Sequence, residues 1–145
     1  MKTLKSIGAV LGGFLIVVIL SVATDTVLEK AGIFPPPTEG LFVTWMLVLA
    51  FVYRTVYTIV GGYATAAFAP ANPSKHVTIL GVIGTIMGCI GIYVGTVQYQ
   101  LSPMWYPIAL AVAAFPSVWL GGKLKTKIKR SFPILNHQIK QSINQ

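Results

Sequence analysis

Four stretches of the chain are almost unbroken runs of apolar residues: Ile7–Leu28, Thr44–Phe68, Val77–Val97 and Met104–Leu120. Each is long enough, at roughly 17–25 residues, to cross a hydrocarbon core about 30 Å thick as a helix. The pattern therefore predicts an all-α, polytopic bundle of four transmembrane helices over residues 1–121, followed by a short polar tail over 122–145. The connections carry the residues that stop helices. Pro35, Pro36 and Pro37 exclude helix from the first loop and favour an extended path. Pro70 and Pro73, around Asn72, end the second helix in a tight turn. Ser102-Pro103 and Pro107 suit the start of the fourth helix, where a missing amide proton costs little. Pro116 should kink that helix near its far end.

Composition sharpens this reading. Hydrophobic residues make up 54% of the chain and charged residues 10%, too little polar surface to solvate a globule of 145 residues. The lone Cys89 lies in the third run, which excludes an internal disulfide and a cysteine-based metal cluster; it reads as a small buried hydrophobe. Lys2 and Lys5 before an apolar run, with Ser21-Val22-Ala23 beyond, also resemble a signal peptide. The apolar stretch continues through Val27 and Leu28, so a retained first helix is expected.

Charge gives the orientation. Lys2, Lys5, Lys75, Lys123, Lys125, Lys127, Lys129 and Arg130 fall on one side, and Asp25, Glu29 and Glu39 on the other with Lys30. The bias of lysine and arginine predicts that both termini are cytoplasmic. Trp45 and Trp105 at the outer boundary and Trp119 at the inner one match the aromatic belts of membrane proteins. Lys123, Lys125, Lys127, Lys129 and Arg130 could each contribute about 1 kcal/mol of attraction to anionic headgroups. Beyond them, Ser131 is a candidate N-cap before Pro133, with Phe132, Leu135, Ile139 and Ile143 at helical spacing. The tail is thus either topology-setting charge with a frayed end or a short interfacial helix. A net charge of +8 could also serve nucleic acid, but no aromatic interleaving accompanies it, so no nucleic-acid partner is expected.

Small residues supply the packing signal. Gly81, Gly84, Gly88, Gly91 and Gly95 form one heptad stripe on the third helix. In lipid, helices associate through close backbone approach at such residues. Gly8 and Gly12 on the first helix and Ala109 and Ala113 on the fourth are candidate partners. Gly12-Gly13, Gly61-Gly62 and Gly121-Gly122 all fall toward the inner ends of their helices, predicting a tightly packed inner half. A narrow path lined by the glycines is the alternative reading.

The candidate site is the pair of charges inside the apolar runs. Arg54 lies near the middle of the second helix, where an unpaired charge costs about 2.5–3.5 kcal/mol. Asp25 is the only acid expected within a span. At 1.5 Å per residue the two lie about 9 Å apart along the membrane normal. Side chains lean toward their own helix N-terminus, so in antiparallel neighbours these two lean toward each other. An Asp25–Arg54 ion pair is expected, flanked by Tyr57 and Thr58 at i+3 and i+4 from Arg54 and by Ser21 and Thr24 beside Asp25. It serves either as an internal orienting pair or as a polar pocket. His76 and His137 are isolated and expected at the interface. No nucleophile motif, metal-ligand set or phosphate loop is present, so neither catalysis nor a cofactor or metal is expected.

Ala23-Thr24-Asp25-Thr26-Val27-Leu28, Gly32-Ile33-Phe34-Pro35-Pro36, Tyr53-Arg54-Thr55-Val56-Tyr57, Gly61-Gly62-Tyr63, Ala69-Pro70, Trp105-Tyr106-Pro107 and Trp119-Leu120-Gly121-Gly122 together resemble a group of small four-helix bacterial membrane proteins. The resemblance covers nearly the whole chain except the tail. It implies a bacterial inner-membrane setting and this architecture, and brings no activity. Small multidrug exporters are similar in size and topology only, since their essential acid is central in the first helix. The expectation is therefore a non-catalytic accessory or scaffold component, working with a second copy or another membrane protein. The alternative is a small oligomeric transporter or channel, with a polar cavity around Arg54 open to the outer side.

Overall fold

A computed structural model describes residues 1–144, and among these the chain forms four long helices and no strand. They are α1 (Lys2–Lys30), α2 (Thr44–Phe68), α3 (Pro73–Ile92) and α4 (Trp105–Ile143), with α3 continuing into a π-helical turn over Tyr93–Gln98. All four are long and apolar enough to cross a membrane. Between 17% and 33% of each span's most apolar window is buried within the protein. The remainder points outward, and the outward side chains include Leu11, Leu15, Val52, Ile86 and Val112. Such an exterior belongs in lipid. The fold is a multi-pass membrane bundle.

The ends of the helices follow from local chemistry. At the end of α1, Gly32 adopts φ 73°, its N–H donates to the Glu29 carbonyl and the Ile33 N–H to the Leu28 carbonyl. This pair of reversed bonds closes a helix where glycine tolerates the left-handed backbone. Between α2 and α3, Pro73 opens α3 and Asn72 takes φ 46°. The first and third connections meet: the Leu41 N–H donates to the Leu101 carbonyl at 2.6 Å. A Cβ on Gly40 would stand 2.6 Å from that same carbonyl, so the two loops touch only because Gly40 has none. The bundle thus has a loop end, where these connections join, and a turn end, at Pro70–Pro73.

α2 and α4 make the broadest contact; α1 lies along α2, and α3 along α4. Two apolar clusters hold the ends. Val10, Ala66, Val77, Leu80 and Val118 form the one near the turn end, and Phe34, Leu47, Ala50 and Tyr106 the one near the loop end. The turn-end half is closed by glycine. A Cβ on Gly121 would collide with the Ile59 carbonyl, one on Gly62 with the Val118 carbonyl, and one on Gly122 would lie 2.7 Å from Val77. Gly13 and Gly61 face each other, each within 2.8 Å of the other's carbonyl once a Cβ is added.

Several expectations from the sequence are corrected. The stripe on α3 serves packing only in part: Gly81 meets Phe115 and Gly88 meets Ala111, Gly84 is in ordinary contact with Ala114, while Gly91 and Gly95 face open space. On α1 the close contact belongs to Gly13. Gly8 has nothing within 4 Å, and Gly12 only the Phe68 ring at 3.8 Å. The helix phase decides this, since Gly13 projects at the α2 backbone while Gly12 reaches only the ring of Phe68 at the end of α2. Cys89 is exposed on the outer surface of α3, one residue round from the face that meets α4. His76 is buried in the first turn of α3, its Nδ1 3.1 Å from the Asn72 carbonyl.

Through Ile143 the tail is helical and continuous with α4. α4 runs unbroken through Pro116 and Pro133 to Ile143. Ser131, expected as an N-cap, instead bonds back to the Lys127 carbonyl at 3.3 Å, as a residue inside a helix does. Pro133 removes one amide bond without ending the helix, and leaves the Lys129 carbonyl without its usual donor.

Candidate functional site

The antiparallel packing of α1 on α2 sets Asp25 opposite Arg54. The Arg54 Nη2 donates to Asp25 Oδ2 at 2.6 Å. Their side chains remain 34% and 23% accessible, so the pair is not sealed on all sides. The other carboxylate oxygen, Oδ1, accepts a hydrogen bond from the Tyr53 hydroxyl. The rings of Tyr53 and Tyr57 lie 5.8 Å apart, one helical turn from each other. The Tyr57 hydroxyl reaches Thr24 Oγ1 at 2.8 Å, a second bridge between α1 and α2.

The expected neighbours take different parts from those assigned. Thr24 and Tyr57 bond each other rather than the charges. The Thr58 hydroxyl donates to the Arg54 carbonyl within its own helix, at 2.7 Å. Ser21 is half-buried beside Asp25 without a hydrogen bond to it. Tyr53 completes the carboxylate's partners and was missed, although it lies four residues before Tyr57 on one helical face. The signal was the spare oxygen of Asp25, which needs a second donor.

Beside the pair lies a cavity of about 380 Å³. Its wall takes Asp25 and Glu29 from α1, Arg54 from α2, Gly88 and Gly91 from α3, Gly95 from the π-helical turn, and Tyr106, Pro107 and Leu110 from α4. Pro35, Pro36, Pro37, Leu41 and Leu101 of the joined loops form its loop-end rim. Glycines that were expected to press against a neighbouring helix therefore leave room here. The π-helical turn widens α3 at the same level, a distortion that recurs at functional sites. Glu29 enters this wall because α1 extends to Lys30, so Asp25 is not the only acid in a membrane-length helix.

The wall is mostly apolar, with polar groups concentrated at the ion pair and Tyr106. Arg54 uses one of its N–H groups on Asp25, and its Nε is buried without a partner. The Tyr106 hydroxyl is likewise buried and unpaired. Buried donors without acceptors are uncommon and need a reason. Among the described residues no three His, Cys, Asp or Glu side chains converge as a metal site would require. Lys123, Lys125, Lys127, Lys129 and Arg130 lie far from this site along α4, with Lys123 Nζ 3.6 Å above the Trp119 ring.

Compared with family models, curated proteins and solved structures, the chain matches none.

Proposed function

We propose that the protein is a non-catalytic integral membrane protein that receives a small, largely apolar ligand beside the Asp25–Arg54 pair. The observation that carries the reading is the cavity of about 380 Å³ walled by all four helices at the level of that pair. Pockets of this size, apolar with a few convergent polar groups, are the usual form of small-molecule sites. Asp25 already compensates the guanidinium charge, so the free Arg54 donors suit an uncharged oxygen acceptor such as a carbonyl or hydroxyl. A second bare anion would meet Asp25 and Glu29 at short range in a low dielectric.

The lysine and arginine bias supports a cavity that faces the outer side of the membrane. Catalysis is not part of the reading, since the wall offers no nucleophile with a matching base. The glycine contacts of the turn end argue against an open channel in this conformation. A transporter would need that half to separate. An accessory or scaffold role is what an empty cavity would leave.

Gly91→Leu and Gly95→Leu test the reading, because both glycines line the cavity and a Cβ added at either meets nothing within 4 Å. Native mass spectrometry of the detergent-purified protein should find a bound mass of about 200–500 Da on the wild type. Both variants should lose it while keeping their fold. A wild type carrying no adduct, or variants carrying the same one, would leave the accessory role in its place.

A further inference from the structure

The second half of α4 leaves the bundle, its root keeping Lys125 near the Tyr63 ring, at 5.4 Å, and Lys123 and Thr126 beside α3. From Lys123 to Ile143 all but Lys125 are exposed, including Leu124, Ile128, Phe132, Leu135, Ile139 and Ile143. Because the helix is unbroken, these six share one register. At 100° per residue they fall within an arc of roughly 100°. Arg130 and His137 lie opposite the stripe, Lys127, Lys129 and Lys140 flank it at roughly 90–110° from its centre, Lys125 sits at its edge, and Ile134 is the one apolar residue off it. The spacing 4-4-3-4-4 drifts away from the heptad seam of a left-handed coiled coil. The crowded cations would also repel a second copy laid alongside.

Membrane depth adds a second constraint. With Trp105 at one boundary, a 30 Å core ends about 20 residues later, near Lys125, and the headgroup layer of about 5–7 Å ends near Arg130. Pro133 therefore stands just where α4 leaves the headgroups. Its ring crowds the Lys129 carbonyl and opens the helix on its own side. Pro133 lies roughly 130° from the centre of the apolar stripe, so a bend there closes toward the stripe and turns it down onto the bilayer.

We infer that the segment from Ser131 to Ile143 is a membrane-surface helix, hinged at Pro133, which lays Phe132, Leu135, Ile139 and Ile143 into an anionic leaflet. Lys123, Lys125, Lys127, Lys129 and Arg130 hold its root among the headgroups. Charge complementarity and covalent continuity with the span select lipid as the occupant: the surface is always within reach, and cations next to an apolar stripe match acidic headgroups over acyl chains.

The test uses the full chain in vesicles, with nitroxide labels at single cysteines in a Cys89→Ala background. In phosphatidylglycerol-containing vesicles, labels at 135 and 139 should show an oxygen-to-nickel accessibility ratio about threefold above labels at 137 and 141. The contrast should shrink in pure phosphatidylcholine and in high salt. Pro133→Ala, which keeps α4 straight, should return the label at 135 to water. Uniform water accessibility from 131 to 143 in the anionic vesicles overturns the inference. So does protection with spin–spin broadening that grows with protein density, since a second copy would then cover the stripe. An unchanged signal in Pro133→Ala removes the hinge.

Discussion

Asp25 shows why the polar residues of this bundle act as a unit. Its two carboxylate oxygens are shared between Arg54 and Tyr53, and both donors come from α2. Removing one member leaves the others facing an apolar interior. Asp25→Leu should destabilise the detergent-solubilised protein by about 2.5–3.5 kcal/mol, the cost of a lone Arg54 at this depth. The double change Asp25→Leu with Arg54→Leu should recover most of that loss, as replacing a whole buried pair usually does. Thermal unfolding of the wild type, the single and the double variant checks the expectation; an Asp25→Leu protein that melts with the wild type would mean the pair is solvated from the cavity. The pair was legible from sequence, because Asp25 is the acid nearest in depth to Arg54 and helix direction made the two lean together. Tyr53 was missed: the spare oxygen of Asp25 called for a second donor, but Tyr53, Tyr57 and Thr58 all lay near enough in sequence to supply it.

Helices differ here in what their glycines do, and substitution should separate the two uses. Gly121→Ala forces a methyl into the Ile59 carbonyl, and neither backbone can retreat without parting α2 from α4. A loss of about 1–3 kcal/mol is expected, read as lowered resistance to unfolding in detergent. Gly8→Ala meets nothing within 4 Å and should be neutral or gain up to about 1 kcal/mol from helix propensity. Equal effects at both positions would mean that the tight contact at the turn end does not hold in the membrane. The heptad spacing on α3 marked a face of the helix correctly but could not tell contact from void. Whether a glycine touches a neighbour depends on how far the partner helix follows, and α4 diverges from α3 beyond Gly88.

At the scale of the whole molecule, four spans put the two termini on one side, and the distribution of lysine and arginine predicts which side that is. Alkaline phosphatase fused after Ile143 should be inactive in a bacterial host, while the same enzyme inserted at Thr38 should be active. The opposite pattern would invert the bundle and turn the cavity toward the cytoplasm. The two halves divide the work: close packing at the turn end holds four thin helices together, and the loop end, tied by the Leu41–Leu101 bond, leaves space beside the ion pair.

The pattern of residues alone determined the number of spans, the loops and the pairing of Asp25 with Arg54. These rest on hydrophobic length, proline geometry and the penalty on an unpaired charge in lipid, all local or one-dimensional properties. Only the tertiary structure decided that Gly13 rather than Gly12 meets the α2 backbone, that Gly91 and Gly95 line a void, and that the tail continues α4 as one register. Those outcomes turn on helix phase and on where two helices diverge, which no single stretch of sequence encodes.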